Sequence, residues 1–191
     1  MRVLGIDPGS RHCGFGVVEG RAGQLRYVAH GVLSMKLSGS VEARLLELHA
    51  GLQQAIEAHR PELVAIEDIF SRHAKSALVL GQARGVALLA AAQARLEVRA
   101  FPPAAIKQLV TGSGRAEKEQ VGRMVAMLLG VRIEGKADAT DALAAAICGV
   151  LRAAVPEAMA VRPAVAAAAS GGSPRAIQAA EVLRLLKARR R

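Results

Sequence analysis

The chain has few aromatic residues and few cysteines. It contains no Trp, one Tyr and three Phe, which argues against extensive stacking of nucleic-acid bases on aromatic side chains. Two cysteines, Cys13 and Cys148, make neither a disulfide framework nor a metal motif, so we expect small core residues in a reducing cytosol. No apolar run is long enough to span a bilayer, and the N-terminus shows no signal-peptide pattern, so a cytoplasmic protein without a membrane partner is expected.

Acidic residues are also scarce relative to basic ones, which gives a formal net charge of +10. Residues 150–191 carry 8 of the 26 Lys and Arg but only 2 of the 16 Asp and Glu. The excess indicates a polyanionic partner. The composition predicts one globular domain over residues 1–155, an Ala/Pro/Gly linker over 156–174 and a basic tail over 175–191 that can form a short helix. The tail is interpreted either as a solvated end or as a nonspecific DNA tether.

The apolar pattern predicts an α/β protein. The first three strands are sequential, and the later ones alternate with helices, so we expect a five-stranded mixed sheet, antiparallel at first and then extended by parallel crossovers, with helices on both faces. Strands are predicted over residues 2–8, 14–20, 25–34, 63–67 and 98–101. Helices are predicted from Ser40 to before Pro61, over 76–95, from Pro103 for one to two turns, over 116–129 and over 138–154.

Carboxylates occur at the ends of several predicted elements. Asp7 and Glu67 end two strands, where ligand sites of open α/β sheets form, and Asp138 and Asp141 share one face at a helix start. Four clustered carboxylates repel one another unless divalent cations bind, and hard oxygen ligands suit Mg²⁺ or Mn²⁺. Two such ions about 3.5–4 Å apart can hold the attacking and leaving oxygens of a phosphodiester. The simpler interpretations are a turn-opening Asp7 and an ordinary Asp helix cap.

Glycines mark two further places. Those at 9, 14 and 16 remove side chains beside Asp7, so we expect something bulky to approach the backbone there. Gly81 and Gly85 interrupt the predicted helix 76–95 and suggest close contact with another backbone. This helix is apolar nearly all round, which indicates deep burial or a subunit interface.

Several motifs in the same order resemble the RuvC family of bacterial Holliday junction resolvases, which have an RNase H-like fold. The resemblance covers residues 1–153. It rests on residues 5–10 (GIDPGS), 65–67 (AIE) with Phe70, 76–78 (SAL), 80–87 (LGQARGVA), 116–118 (AEK) with Gln120 and Val121, and 137–144 (ADATDALA).

The resemblance implies roles for individual residues. Asp7, Glu67, Asp138 and Asp141 match the metal-binding catalytic carboxylates. Lys107 and Lys118 match lysines of DNA contact and catalysis, and Phe70 matches an aromatic that stacks on a base, the simpler interpretations being surface lysines and a core Phe. We expect junction recognition through shape and phosphate contacts, from Arg72, Lys75, Arg84, Lys107, Arg115 and Lys118.

The resemblance also implies an activity and partners. The expected reaction is paired hydrolysis of a four-way DNA junction in recombination and repair, dependent on two Mg²⁺ ions per site, with Mn²⁺ as a substitute, leaving 5′ phosphate and 3′ hydroxyl ends. Two like strands must be cut, so a C2 homodimer is expected, with helix 76–95 as the candidate interface. RuvA and RuvB are the partners that the family implies.

Three other interpretations stay open on the sequence. Residues 5–9 (GIDPG) also resemble the phosphate-binding hairpin of actin-like ATPases and sugar kinases, although one hairpin in 191 residues is short for that class. A related nuclease acting on RNA–DNA hybrids or other junctions, and a DNA-binding module without catalysis, are the other two. Asp68 adds a fifth carboxylate beside Glu67. Because alternate strand residues face opposite ways, we expect Asp68 to miss the metals.

Overall fold

The sheet has five strands in the order β3-β2-β1-β4-β5. The computed structural model describes residues 1–9, 11–21, 24–35, 40–68, 74–133 and 137–153. β1 pairs antiparallel with β2, and β2 with β3, whereas β4 pairs parallel with both β1 and β5. This confirms the predicted mixed sheet. The strands are β1 (Arg2–Asp7), β2 (His12–Arg21), β3 (Gln24–Ser34), β4 (Leu63–Glu67) and β5 (Glu97–Phe101).

Five helices join and cover the strands in the described part of the chain. They are α1 (Val41–His59), α2 (Ala74–Gln93), α3 (Pro103–Thr111), α4 (Lys118–Leu129) and α5 (Ala137–Ala153). Ser40 caps α1 as predicted, because its hydroxyl accepts a hydrogen bond from the Ala43 amide at 3.4 Å. The helix ends at His59 and is capped by Arg60, whose left-handed backbone (φ 45°) precedes Pro61.

The helices form two layers, one on each face of the sheet. Alternate residues of β1 and β4 point to opposite faces, so Val3 and Ala65 pack with α3, α4 and α5, whereas Leu4 and Ile66 pack with α1 and α2. Both cysteines are buried and unbridged, as expected for small core residues. The sheet is therefore covered on both faces, which explains the continuous apolar run of β4.

Helix α5 lies directly on the sheet backbone. Its buried residues run from Ala139 to Val150 and are mostly small. A Cβ built on Gly5 would stand 1.9 Å from the Ala142 carbonyl oxygen, and one on Gly16 would stand 2.7 Å from Leu143. Because real atoms do not approach so closely, only glycine permits this contact between helix and strands.

Some predicted boundaries were wrong by a few residues. Helix 76–95 begins at Ala74 and ends at Gln93, because Arg95 takes a positive φ of 57°. Helix 116–129 begins at Lys118, because Glu117 is still extended (φ −73°, ψ 159°). The helix from Pro103 is nine residues long, more than the predicted one to two turns.

The described residues all belong to one compact unit, Met1–Pro156. All of the predicted linker (156–174) and all of the predicted tail (175–191) lie beyond 153, outside the described residues. No helix in the described ranges has the length and apolarity needed to cross a membrane.

Candidate active site

The ends of β1 and β4 present two carboxylates on the same face of the sheet. The parallel register pairs Ile6 with Ile66, so Asp7 and Glu67 come one residue later on adjacent strands. Side chains alternate along a strand, so Asp7 shares the face of Val3 and Glu67 shares that of Ala65, which is the face covered by α5. Strand pairing and alternation thus bring two residues sixty positions apart to the same edge.

The first turn of α5 adds two more carboxylates over this edge. Gly14 pairs with Asp7 across the β1–β2 ladder. A Cβ on Gly14 would stand 1.9 Å from the backbone carbonyl oxygen of Asp138, so the start of α5 lies against the strand that borders Asp7. Asp141 follows one helical turn after Asp138 on the same side. The bulky group predicted to approach Gly14 is therefore this chain's own helix.

A cleft of about 190 Å³ opens at this edge of the sheet. Glu67 and Asp141 line it together with Lys107 of α3 and Lys118 of α4. Lys118 Nζ lies 2.6 Å from Asp141 Oδ2. The remaining lining residues are Pro103, Ile106, Val121 and Ala144.

The electrostatics of this edge of the sheet are those of crowded, half-buried acids, of which Glu67 and Asp141 line the cleft and Asp7 and Asp138 do not. Burial raises the pKa of Asp7 to about 7, and the charges of Glu67, Asp141 and Asp138 add to the rise. Burial likewise raises the pKa of Glu67 to about 7, with a further contribution from Asp141. Lys118 opposes both shifts, and its own pKa is raised, chiefly by its hydrogen bond to Asp141.

The donor set suits a hard divalent cation. All four side chains offer carboxylate oxygens, and the raised pKa values of Asp7 and Glu67 show that the protein alone does not neutralise them. No three His, Cys, Asp or Glu side chains of the described residues are grouped as a ready-made metal site. Asp141 Oδ2 lies beside Lys118 Nζ. Carboxylate oxygens are the ligands that a hard divalent cation prefers, so the residue types at this edge fit such a cation.

Asp68 faces away from this cleft. Its carboxylate accepts a hydrogen bond from Arg84 Nη2 of α2 at 3.0 Å, on the face of the sheet opposite to α5. This position agrees with the prediction that Asp68 points away from Glu67, because alternate residues of a strand face opposite ways. Arg84 is only 21% exposed, so an arginine predicted to contact DNA is engaged in an ion pair within the chain.

The other predicted DNA contacts divide into described and undescribed residues. Lys107 and Lys118 line the cleft. Arg115 is exposed in the loop between α3 and α4. Phe70 and Arg72 lie outside the described residues, as does the side chain of Lys75.

Two features of the site were missed by reasoning from the sequence. A close approach to the Gly14 backbone was predicted, but not that α5 makes it or that Gly5 takes part; the available signal was glycines spaced along strands beside an Ala-rich helix. The second feature, Gln108, has no signal in the sequence, because a glutamine whose side chain hydrogen-bonds to the backbone does not produce a periodic pattern of residues. Its amide bridges Gly112 and Gly114 in the loop between α3 and α4.

A five-stranded mixed sheet with an acidic cleft at the ends of its first and fourth strands defines the RNase H-like class of nuclease folds. A family model for crossover junction endodeoxyribonuclease RuvC matches residues 3–149. The chain therefore belongs to the RuvC family of crossover junction endodeoxyribonucleases.

Curated relatives and solved structures agree with this membership. The chain is 50% identical over 165 residues to crossover junction endodeoxyribonuclease RuvC of Myxococcus xanthus, covering 84% of this chain and 86% of the relative. It is also 50% identical over 149 residues to the RuvC of Halorhodospira halophila, covering 77% and 88%. The T. thermophilus RuvC solved in complex with a Holliday junction substrate has 34% identity and a TM-score of 0.76, covering 81% of this chain and 95% of that one.

Proposed function

We propose that this chain resolves four-way DNA junctions by metal-dependent hydrolysis of phosphodiesters. The observation that carries the proposal is the crowding of Asp7, Glu67, Asp138 and Asp141 at one edge of the sheet, with the pKa of two of them raised to about 7. Such a cluster can accept the negatively charged phosphodiester backbone of DNA only when cations screen the carboxylates. Membership in the RuvC family supports a junction as the substrate.

The four carboxylates would hold Mg²⁺, two ions per site, with Mn²⁺ as a substitute. When bound, such ions activate a water for in-line attack and stabilise the leaving 3′ oxygen, which leaves 5′ phosphate and 3′ hydroxyl ends. Asp7 and Glu67 are fixed by the sheet, whereas Asp138 and Asp141 depend on the seating of α5. Precise hydrolysis therefore depends on the contact between α5 and the glycines beneath it.

Lys107 and Lys118 would stabilise negative charge that develops on the phosphate. Both belong to the lining of the cleft that contains Glu67 and Asp141. Lys118 must leave Asp141 to do so, and a phosphate oxygen replaces the carboxylate as its acceptor. Lys118 would therefore keep one charged hydrogen bond, first to the Asp141 carboxylate and then to the phosphate.

A second copy of the chain would supply the second cut. On the outer face of α2, apolar or small residues recur at steps of three and four. Among them, Leu78 is 66% exposed and Leu89 is 52% exposed. A Cβ built on Gly81 or Gly85 meets nothing within 4 Å, so the backbone contact predicted for these glycines is not made within the described chain. This exposed stripe suits a twofold helix pair, which would place two sites on one junction.

The DNA-facing surface would combine the cleft lysines with Arg115 and the residues after β4, including Phe70, Arg72 and Lys75. Phosphate contacts of this kind position a junction without reading its sequence. RuvA and RuvB are proposed as partners from family membership alone.

The proposal is tested with a synthetic four-way junction, a linear duplex and an RNA–DNA hybrid of the same sequence. We expect cleavage of the junction only, in Mg²⁺ and not in EDTA, with paired nicks that DNA ligase reseals because the ends are 5′ phosphate and 3′ hydroxyl. Preferential cleavage of the hybrid would instead indicate a related nuclease. Cleavage that persists in EDTA would contradict the role of the carboxylates.

Two variants separate cutting from binding. Asp7→Asn and Glu67→Gln should bind the junction in a gel-shift assay yet fail to cut it, with a loss of at least about 10³-fold, as for removal of other groups that act only on the transition state. Glu57→Gln, at an exposed position on α1, is the matched control and should cut normally. A cleaving Asp7→Asn protein would refute the assignment.

A further inference from the structure

The loop of residues 112–117 joins the two helices that carry the cleft lysines. Lys107 lies on α3, Lys118 is the first residue of α4, and the two helices meet only through this loop and their packing. Both lysines line the same cleft as Glu67 and Asp141, so both stand close enough to act on the site. A change in the loop shifts one lysine relative to the other.

The side-chain amide of Gln108 links this loop to α3 through both its donor and its acceptor atom. Its Nε2 donates to the Gly112 carbonyl at 2.8 Å, and its Oε1 accepts from the Gly114 amide at 3.0 Å. An amide whose donor and acceptor are both engaged fixes its partners in two directions at once. Gln108 follows Lys107 directly in the chain, yet it is exposed and does not line the cleft.

Neighbouring groups make the same turn rigid. The Thr111 hydroxyl donates to the Lys107 carbonyl at 2.8 Å, and the Ser113 amide donates to that hydroxyl oxygen at 3.2 Å. Gly112 has a φ of 80° and donates its amide to the Gln108 carbonyl at 3.0 Å. These hydrogen bonds hold the loop to the last turn of α3. The two hydrogen bonds from the Gln108 side chain to Gly112 and Gly114 are called the Gln108 clamp.

We propose that Gln108 is a positioning residue for the reaction, because it holds the α3–α4 loop so that Lys107 and Lys118 flank the same phosphate. The inference rests on the proposed nuclease function. Gln108 touches neither the carboxylates nor the lysine side chains in the described contacts, so its effect on the reaction passes through the backbone of the loop. Misplacement of reacting groups by about 1 Å costs about 10²-fold in rate, so a small change in this loop is sufficient.

The test is Gln108→Met, which keeps the side-chain length and removes both hydrogen bonds. At saturating junction and Mg²⁺, we expect kcat for a synthetic four-way junction to fall roughly 10- to 100-fold, while junction affinity changes less than about 2-fold because the basic side chains that contact phosphates are kept. Gln54→Met, at an exposed position on α1 across the sheet, is the matched control and should leave both quantities unchanged. Unchanged kcat in Gln108→Met would overturn the proposal.

A second background distinguishes positioning from general damage. In Lys107→Ala and in Lys118→Ala, adding Gln108→Met should cost less than it does in the parent chain, because one of the groups it positions is already gone. Full additivity in both backgrounds would overturn the proposal. If Gln108→Met melts much earlier than the parent, Gln108→Glu replaces it, since the carboxylate keeps an acceptor toward the Gly114 amide and loses the donor to Gly112. A smaller loss of kcat in the same direction is expected, because one of the two hydrogen bonds is kept, and an unchanged kcat would overturn the proposal.

One readout does not depend on cleavage. Amide hydrogen exchange at Gly114 should accelerate about 10-fold in Gln108→Met, since its hydrogen-bond acceptor is lost. Unchanged exchange would overturn the clamp itself. If the parent chain fails to cut junctions while exchange at Gly114 responds as expected, the nuclease proposal fails and the clamp stands.

Discussion

Replacing Asp7 by Asn should stabilise the metal-free protein. The pKa of Asp7 rises from 3.8 to about 7, first through burial and then through the neighbouring carboxylates. A shift of about 3 pH units corresponds to about 4 kcal/mol of cost for the ionised form at pH 8. Structural relaxation and salt reduce this figure, so we expect a gain of about 2 kcal/mol, or about 4–8 °C in Tm for a domain of this size.

The gain should depend on pH in a defined direction. A carboxylate whose pKa is higher in the folded state favours folding below its unfolded pKa of 3.8, and that contribution is lost as pH rises through about 7. Asp7→Asn should therefore match the parent near pH 4 and become the more stable protein between pH 4 and pH 8. Glu67 follows the same direction, because its pKa is also raised to about 7.

Thermal melts in EDTA at low ionic strength test this prediction, with Glu57→Gln as a control on exposed α1. Adding Mg²⁺ should raise the Tm of the parent by mass action and raise that of Asp7→Asn much less, since one ligand is gone. An Asp7→Asn protein of normal secondary structure that melts at or below the parent at pH 8 in EDTA would refute the reasoning about crowded charge.

Other variants test neighbouring parts of the structure. Lys118→Met should raise Mg²⁺ affinity about 5-fold by calorimetry, because it removes an ammonium group that competes with the metal for the Asp141 carboxylate. The same variant should slow cleavage. Unchanged Mg²⁺ affinity would argue against this competition between Lys118 and the metal. Gly14→Ala should destabilise by about 3 kcal/mol in urea titrations, since its Cβ would stand 1.9 Å from the Asp138 carbonyl oxygen of α5; an unchanged free energy of unfolding would argue against the close packing of α5 on β2. Leu89→Glu should produce monomers in sedimentation and Leu46→Glu on α1 should not; a monomeric parent that cuts junctions in pairs would contradict the dimer.

The fold was largely predictable because its signals are local. The alternation and length of apolar runs predicted all five strands, and β4 read as a central strand because both its faces are covered. Helix starts were less certain. Lys118 begins α4 two residues later than predicted, since Ala116 is held in the preceding turn by the hydrogen bond from its amide to the Ser113 carbonyl and Glu117 is the extended N-cap residue.

The candidate site was predictable only in part. The position of Asp7 and Glu67 at strand ends follows from chain pattern, and alternation separates Asp68 from them. The ion pair between Arg84 and Asp68 was not foreseen, because basic residues near a candidate site look alike in sequence whether they face DNA or a carboxylate. The Gln108 clamp escaped for the same reason, since it depends on three-dimensional contacts alone.

The seating of α5 on Gly5 and Gly14 has a consequence for synthesis on the ribosome. The two strands that meet this helix are the first to be made, and the helix is the last described element to emerge. Contacts between such distant segments form late and slowly in folding. A nascent or prematurely terminated chain therefore holds only half of the acidic groups in place, and catalytic competence arrives with the completed domain.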